Sequence, residues 1–225
     1  MSNCEQCIVR QFNALKSLTK EELTRISNCK TSKTISKGQL IFDEGEHING
    51  VYCIREGICK LTKLSANGRD QIVKLVVRGD LMGQRSLVCE EVTNLSATAL
   101  SEMKVCFIPK YEIMTDLHEN PEFTLDILQH MAKDLREADN VIVNMAQKSV
   151  KQRLAEALLY IHSAFGTDAA GMLTIVLSRE DYANIVGTAT ESIIRILSQF
   201  KKDGLIATKG KQIKLEDMAT LRNIE

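Results

Sequence analysis

The chain has 225 residues, 44% of them hydrophobic, with 29 basic side chains set against 29 acidic ones. That length can bury one or two modest cores, and a net charge of zero carries no global signal for nucleic acid, so any such signal has to be local. No stretch approaches the roughly 18 apolar residues of a membrane helix, and the opening MSNCEQCIVRQ lacks a signal-peptide core, which argues against a membrane protein and for the cytoplasm.

Seven cysteines, Cys4, Cys7, Cys29, Cys53, Cys59, Cys89 and Cys106, in a reducing compartment argue against a disulfide scaffold. Any with a special role should ligate metal or act in redox sensing. Two of them form Cys4-Glu-Gln-Cys7, a spacing that suits zinc, an iron-sulfur cluster or a dithiol switch alike. Cys53 and Cys59, in strand-like sequence, read as small buried hydrophobes.

Thr19-Lys20-Glu21-Glu22 opens a short helix with a capping box. From Thr31 to Ile108 the texture changes to short alternating runs such as GVYCI and CKLTKL, punctuated by glycines and closed by Pro109; this predicts an antiparallel sandwich or barrel. From Pro121 to about Met145 the pattern is helical. Thr124, Leu128, Met131, Leu135, Ala138, Ile142 and Met145 follow one another at spacings of 4, 3, 4, 3, 4, 3, a heptad seam that wants a partner helix. The seam is uncharged, and Ala138 at its middle permits close approach. A homodimer is therefore expected.

The segment SREDYANIVGTATESIIRILSQF reads as a helix-turn-helix. Ser178 and Asp181 cap a first helix, Gly187 supplies the turn, and a second helix runs from about Thr190 to Asp203 with Ile193, Ile196, Leu197 and Phe200 as its buried stripe. Gly204 ends it. LIATKGKQIKL then reads as a hairpin around Lys209-Gly210-Lys211, completing a winged helix. Glu191 and Arg195, one turn apart, can accept from cytosine N4 and donate twice to guanine O6 and N7, so the pair can read a G·C step in the major groove. From Ser192 to Lys214 six basic residues face one acid, Asp203, a balance suited to phosphate contacts.

Plainer readings compete for these residues. Thr188 to Glu191 also fits a capping box, and Glu191 with Arg195 also fits a weak surface ion pair. The C-terminal helices could also be a docking surface of a protein-interaction module that binds no DNA. An enzyme is not indicated: His47, His118, His130 and His162 lie apart, and no HExxH, GxSxG or P-loop pattern is present.

A Gly-rich β-roll, a long dimer helix and a C-terminal winged helix, in that order from about Lys37 to Leu215, resemble the Crp-Fnr family of bacterial transcription regulators, and within it the oxygen- and redox-responsive Fnr-like branch. The resemblance implies an α+β fold: an N-terminal cysteine-bearing segment (residues 1–18), a cyclic-nucleotide-binding-like antiparallel β-roll (19–120), a dimerisation helix (121–147) and a winged helix-turn-helix (148–225). It implies palindromic double-stranded DNA with TGA-like or TTG-like half-sites and RNA polymerase as partners. Glu191 and Arg195 match the family's base-reading positions; Thr190 and Ile194 depart from its two best-known branches, and Ser192, Ser178, Arg179, Lys209 and Lys211 are further DNA-contact candidates.

Where the family binds cyclic nucleotide, this chain has DLMGQRSLVCEEVTNLSATAL: Gly83 is kept, but Gln84 stands for Glu, Asn94 for the phosphate-binding Arg and Leu95 for Ser. Without the guanidinium a buried cyclic phosphate loses its charged partner, which argues against cyclic AMP. Cys4, Cys7 and Cys106 resemble three of the four ligands of the Fnr-like branch's iron-sulfur cluster, while Asn13 stands at the third N-terminal position. The resemblance thus implies one [4Fe-4S] cluster per subunit, its fourth ligand being Cys29, a carboxylate or a small molecule. The alternative is a cluster-free thiol switch pairing Cys4 or Cys7 with Cys106. In either case family analogy routes the signal through the 121–145 helix and the connection after it.

Overall fold

The computed structural model describes residues 4–66 and 68–224. The chain is α+β and divides into two compact units near residue 137. In the first, Thr19 caps α1 (Lys20–Cys29): its hydroxyl accepts from the Glu22 amide at 3.3 Å, and the Glu22 carboxylate accepts from the Thr19 amide at 2.7 Å. Strands follow as β1 (Thr31–Ile35), β2 (Leu40–Phe42), β3 (Gly50–Glu56), β4 (Cys59–Leu64), β5 (Asp70–Val76), β6 (Leu81–Met82), β7 (Ser96–Ala99) and β8 (Met103–Pro109). They make two four-stranded sheets, ordered β1-β8-β3-β6 and β2-β7-β4-β5. The further α-helices of this unit are α2 (Gln84–Cys89), α3 (Lys110–Glu119) and the start of α4 (Pro121–Gln147).

Period-two alternation sorts the strand side chains between two faces. Ile54 on β3 and Met103 and Val105 on β8 turn into the core between the sheets, with Phe42, Val76 and Met82. Val51 and Cys53 on β3 and Cys106 and Ile108 on β8 turn the opposite way. That outer face is roofed by Val9 and Leu15 of the N-terminal segment, Leu23 and Ile26 of α1, Ile113 of α3, and Phe123 and Ile127 of α4. The roof makes the N-terminal segment part of a core, so its cysteines are held and not trailing.

Under the roof lies a buried charge group. Arg25 pairs with Glu112 at 2.9 Å and with Asp116, both carboxylates being almost fully buried. Burial raises the Asp116 pKa to about 6, against the opposing pull of the Arg25 charge. The folded chain therefore holds this proton more tightly than the unfolded chain, and the group's contribution to stability falls as pH rises from about 4 to about 6. Asp116→Asn should remove that dependence: relative to the parent, its urea midpoint should gain with pH across this window and level off above it.

The second unit begins within α4. This helix buries Phe123 and Ile127 but not the predicted seam: Leu128, Leu135 and Ile142 are 61%, 65% and 66% exposed, Ala138 is exposed, and Thr124, Met131 and Met145 are half-buried. Ser149 and Gln152 then form a capping box for α5 (Val150–Phe165), which buries Leu154, Ala155, Leu158 and Ile161. The remaining elements are α6 (Arg179–Val186), α7 (Thr190–Lys202), β9 (Ile206–Lys209), β10 (Gln212–Leu215) and α8 (Met218–Arg222). Among the described residues no helix is long and apolar enough to cross a membrane.

Candidate functional site

The helix pair forms for local reasons. Ser178 caps α6 in a reciprocal box with Asp181. Gly187, at φ +72°, ends the helix in the left-handed conformation that a side chain would strain. α7 sinks Ile193, Leu197 and Phe200 into the unit, the i, i+4, i+7 stripe of an amphipathic helix, and Gly204 ends it with the Leu205 amide donating back to the Phe200 carbonyl at 2.9 Å. The burial of that stripe decides what the opposite face carries: Glu191, Ile194, Arg195 and Gln199 are exposed, and Thr190 and Ser192 half-exposed.

Both plainer readings of Glu191 and Arg195 fail on this geometry. The residue capping α7 is Ala189, with no side-chain cap, so Glu191 closes no box. Among the described residues, neither Glu191 nor Arg195 has a hydrogen-bonding or ion-pair partner, and the two do not pair with each other. An acceptor and a forked donor are thus presented outward on one helix face.

The wing stands as the alternation in LIATKGKQIKL predicts. β9 and β10 pair from Lys209↔Gln212 to Ile206↔Leu215, leaving Gly210 and Lys211 as a two-residue turn with Gly210 at φ +60°. Lys209 and Lys211 are exposed at its tip. Two expected DNA contacts also have internal partners: the Ser178 hydroxyl is engaged by Asp181 at 2.7 Å, and Arg179 donates through Nη2 to the Gly210 carbonyl at 3.2 Å, tying the wing to the start of α6. Lys214 is likewise engaged, by Glu216 at 3.1 Å.

In the β-roll, Gly83 caps α2 at φ +92°, where a Cβ would lie 2.4 Å from Ile48 Cδ1. The carbonyl oxygen of the neighbouring Gln84 amide is buried without a hydrogen-bond partner among the described residues, and Asn94 and Leu95 are half-buried. Nothing cationic replaces the missing guanidinium at either position.

The cysteines are placed by the roof. Cys4 is buried, its amide donating to the Ser27 hydroxyl at 2.8 Å. Cys7 follows after one tight turn, its amide donating to the Cys4 carbonyl at 3.1 Å. Cys4, Cys7 and Cys106 line one cavity, as the resemblance implies, but the fourth sulfur there belongs to Cys53 and not to Cys29. Cys29 ends α1 and does not line this cavity. Cys53 is buried in the roofed cluster, as its strand-like sequence predicts, and also lines this cavity; Cys59 is buried in the inter-sheet core, packed against Met82. Burial pushes the Cys53 thiol up to about 12, with the neighbouring Cys106, Cys7 and Cys4 adding to it and a hydrogen bond from Asn13 opposing.

Three cationic side chains, Arg10, Lys30 and Arg55, line the same cavity, and among the described residues no carboxylate does. Lys30 is only 8% exposed, and its ammonium lies 2.9 Å from the Cys4 sulfur. A buried ammonium is costly unless an anion answers it, so the donor set fits an anionic, thiolate-ligated group. Among the described residues no three His, Cys, Asp or Glu side chains gather tightly enough for a single ion, which does not suit one tetrahedral zinc with sulfurs at about 2.3 Å. A cluster takes one thiolate at each iron, and so draws its ligands from further apart.

Comparison with known proteins agrees with both halves. The Cyclic nucleotide-binding domain family model matches residues 32–119 and the Crp-like helix-turn-helix domain model residues 152–224. The chain is 28% identical over 223 residues to the regulatory protein HlyX of Actinobacillus pleuropneumoniae, covering 97% of this chain and 92% of that one. To the fumarate and nitrate reduction regulatory protein of Vibrio cholerae it is 28% identical over 226 residues, covering 99% and 90%. Among solved structures, FixK2 of Bradyrhizobium japonicum superposes with a TM-score of 0.74 at 25% identity, covering 86% of this chain and 96% of that one.

Proposed function

The chain belongs to the Crp-Fnr family of transcription regulators, in company with its Fnr-like anaerobic regulators, and from that premise we propose a cytoplasmic homodimer that reads a palindromic DNA site and answers to oxygen or redox state. The observation that carries the DNA reading is the Glu191 and Arg195 pair, exposed on the outer face of α7 without a partner among the described residues, together with the exposed basic wing tip. Glu191 and Arg195 read a G·C step, Thr190, Ser192 and Ile194 face the neighbouring bases, and Lys209 and Lys211 meet phosphate. The exposed seam of Leu128, Leu135, Ala138 and Ile142, flanked by Met131 and Met145, is the dimer contact that sets two such helices on successive major grooves. RNA polymerase is the partner that a regulator role entails.

Cyclic AMP is not the signal on this reading, because Asn94 and Leu95 offer a cyclic phosphate no charge. The signal enters through a [4Fe-4S] cluster held by Cys4, Cys7 and Cys106, supported by their shared cavity and its three cations. When bound, the cluster supplies oxygen-labile redox chemistry. The chain's own residues give up thiol protons to hold it, surround it with positive charge, and exclude bulk water through the Leu15, Leu23 and Ile26 roof.

Anaerobic purification followed by iron and sulfide assay, a visible spectrum and DNA titration before and after air tests this reading. Coloured protein is expected, with iron and sulfide, whose affinity for a palindromic duplex falls by about tenfold or more in air, within the usual range of allosteric coupling. Colourless, iron-free protein that nonetheless responds to thiol oxidants would transfer the role to a thiol switch. No DNA binding under any of these conditions would sink the regulator reading.

A further inference from the structure

We infer that Cys53 is the fourth thiolate of the cysteine site, and that Asn13, at the position of the family's third N-terminal cysteine, serves it as a hydrogen-bond donor instead of as a ligand. The inference rests on the cluster reading above and specifies its ligand set.

Strand register supplies the first argument. Cys53 on β3 is the direct partner of Cys106 on β8, and directly opposed side chains of an antiparallel pair share a face with Cβ atoms about 4.5–5.5 Å apart. That face is the one roofed by the N-terminal segment, so both strand sulfurs open into the cavity that Cys4 and Cys7 enter from the roof. Two thiols come from a rigid sheet and two from the turn above it.

Asn13 supplies the second. It is 2% exposed. Its Nδ2 donates to the Gly79 carbonyl at 2.8 Å and to the Cys53 sulfur at 3.6 Å, while its Oδ1 accepts from the Leu15 amide at 3.0 Å. An amide N–H aimed at a sulfur is a donor to a ligand, and hydrogen bonds to cluster sulfurs are one of the protein's means of setting potential. The same side chain pins the N-terminal segment to the β-roll, which keeps Cys4 and Cys7 above Cys53.

Charge supplies the third. Among the described residues neither a carboxylate nor Cys29 lines the cavity, so neither of the protein ligands that the resemblance offers reaches it. Four thiolates around a cluster leave a net negative charge, which Lys30, Arg10 and Arg55 answer. Each iron–sulfur bond formed replaces an S–H bond and releases that proton.

The full-length chain, reconstituted without oxygen using Mössbauer-active iron and sulfide, tests this by iron content and iron spectrum. The parent should show all-thiolate iron, and Cys29→Ser and Cys89→Ser should be indistinguishable from it. Cys53→Ser should bind iron about tenfold more weakly or worse, in line with or beyond the loss of an outer-shell partner, or should show one iron with a non-sulfur ligand. Asn13→Ala should keep the all-thiolate spectrum and shift the reduction potential. A parent spectrum containing a non-sulfur ligand overturns the inference and leaves the cluster reading standing, as does a Cys53→Ser protein with parental iron and spectrum. A parent that stays colourless and iron-free overturns both. Should Cys53→Ser fail to fold, all-thiolate iron that survives in both the Cys29 and Cys89 variants supports Cys53, and its loss in either one overturns the assignment.

Discussion

A chain carrying Leu135→Asp and Ile142→Asp is expected to sediment as a folded monomer and to lose about 10²- to 10⁴-fold in affinity for a two-half-site duplex, the avidity that linking two binding modules confers. The two positions are 65% and 66% exposed in the single chain, where a polar substitution changes stability by only about 0.5 kcal/mol. In a helix-to-helix seam the same carboxylates would be buried without partners, at a cost of several kcal/mol for each. The substitutions therefore separate folding from association. Binding to a duplex with one half-site should be nearly unchanged. Sedimentation showing a dimer, or an unaltered affinity ratio between the two duplexes, would assign the exposed leucines of α4 some other purpose.

Arg195→Ala is expected to cost about 1–3 kcal/mol at the preferred site and to relax discrimination at one base pair, the usual worth of a bidentate guanine contact. The interpretation is clean because Arg195 has no partner to lose among the described residues, so the change deletes an intermolecular contact and leaves no orphan behind. Lys209→Ala should behave differently. It should weaken all sequences alike and lower the salt slope by about one, as the loss of a phosphate contact does. Competition titrations with every base substituted at the G·C step, repeated at two salt concentrations, distinguish them. Uniform weakening by Arg195→Ala would remove it from base reading.

The elements that sequence made legible are those encoded by neighbours. Ser178 with Asp181, Gly187, Gly204 and the Lys209-Gly210-Lys211 turn each act within a few residues, and α6, α7 and the wing form where those signals stand. The 4-3 spacing in α4 likewise identified an uncovered stripe. α5 is hard to read because it lies between two stronger patterns, the heptads before it and the helix-turn-helix after it, and SVKQ, its capping box, is a short signal. α3 is masked by Pro109, which ends a strand and also precedes a helix.

The cysteine site was only half legible for a different reason. Cys4 and Cys7 announce themselves by spacing, but Cys53 meets Cys106 through a strand register that joins distant parts of the chain. No local pattern encodes that pairing. One clue was available: GVYCI and VCFIP alternate so that each cysteine shares a face with apolar neighbours, which places both sulfurs on sheet faces and leaves open whether it is the same face. Cys29, though nearer to Cys4 and Cys7 in sequence, sits half-buried at the end of α1 and outside that cavity.

Arg153, on the first turn of α5, donates to the Met145 carbonyl at 3.2 Å and the Lys148 carbonyl at 2.7 Å through Nη1, and to the Val186 carbonyl at 2.8 Å through Nε. It thus clasps the trailing end of one helix and the trailing end of another, immediately before the Gly187 corner, at the pole where carbonyl dipoles favour a cation. The end of α4 and the end of α6, which leads through Gly187 into α7, thus share one hydrogen-bonding side chain, which ties the two helix ends to α5.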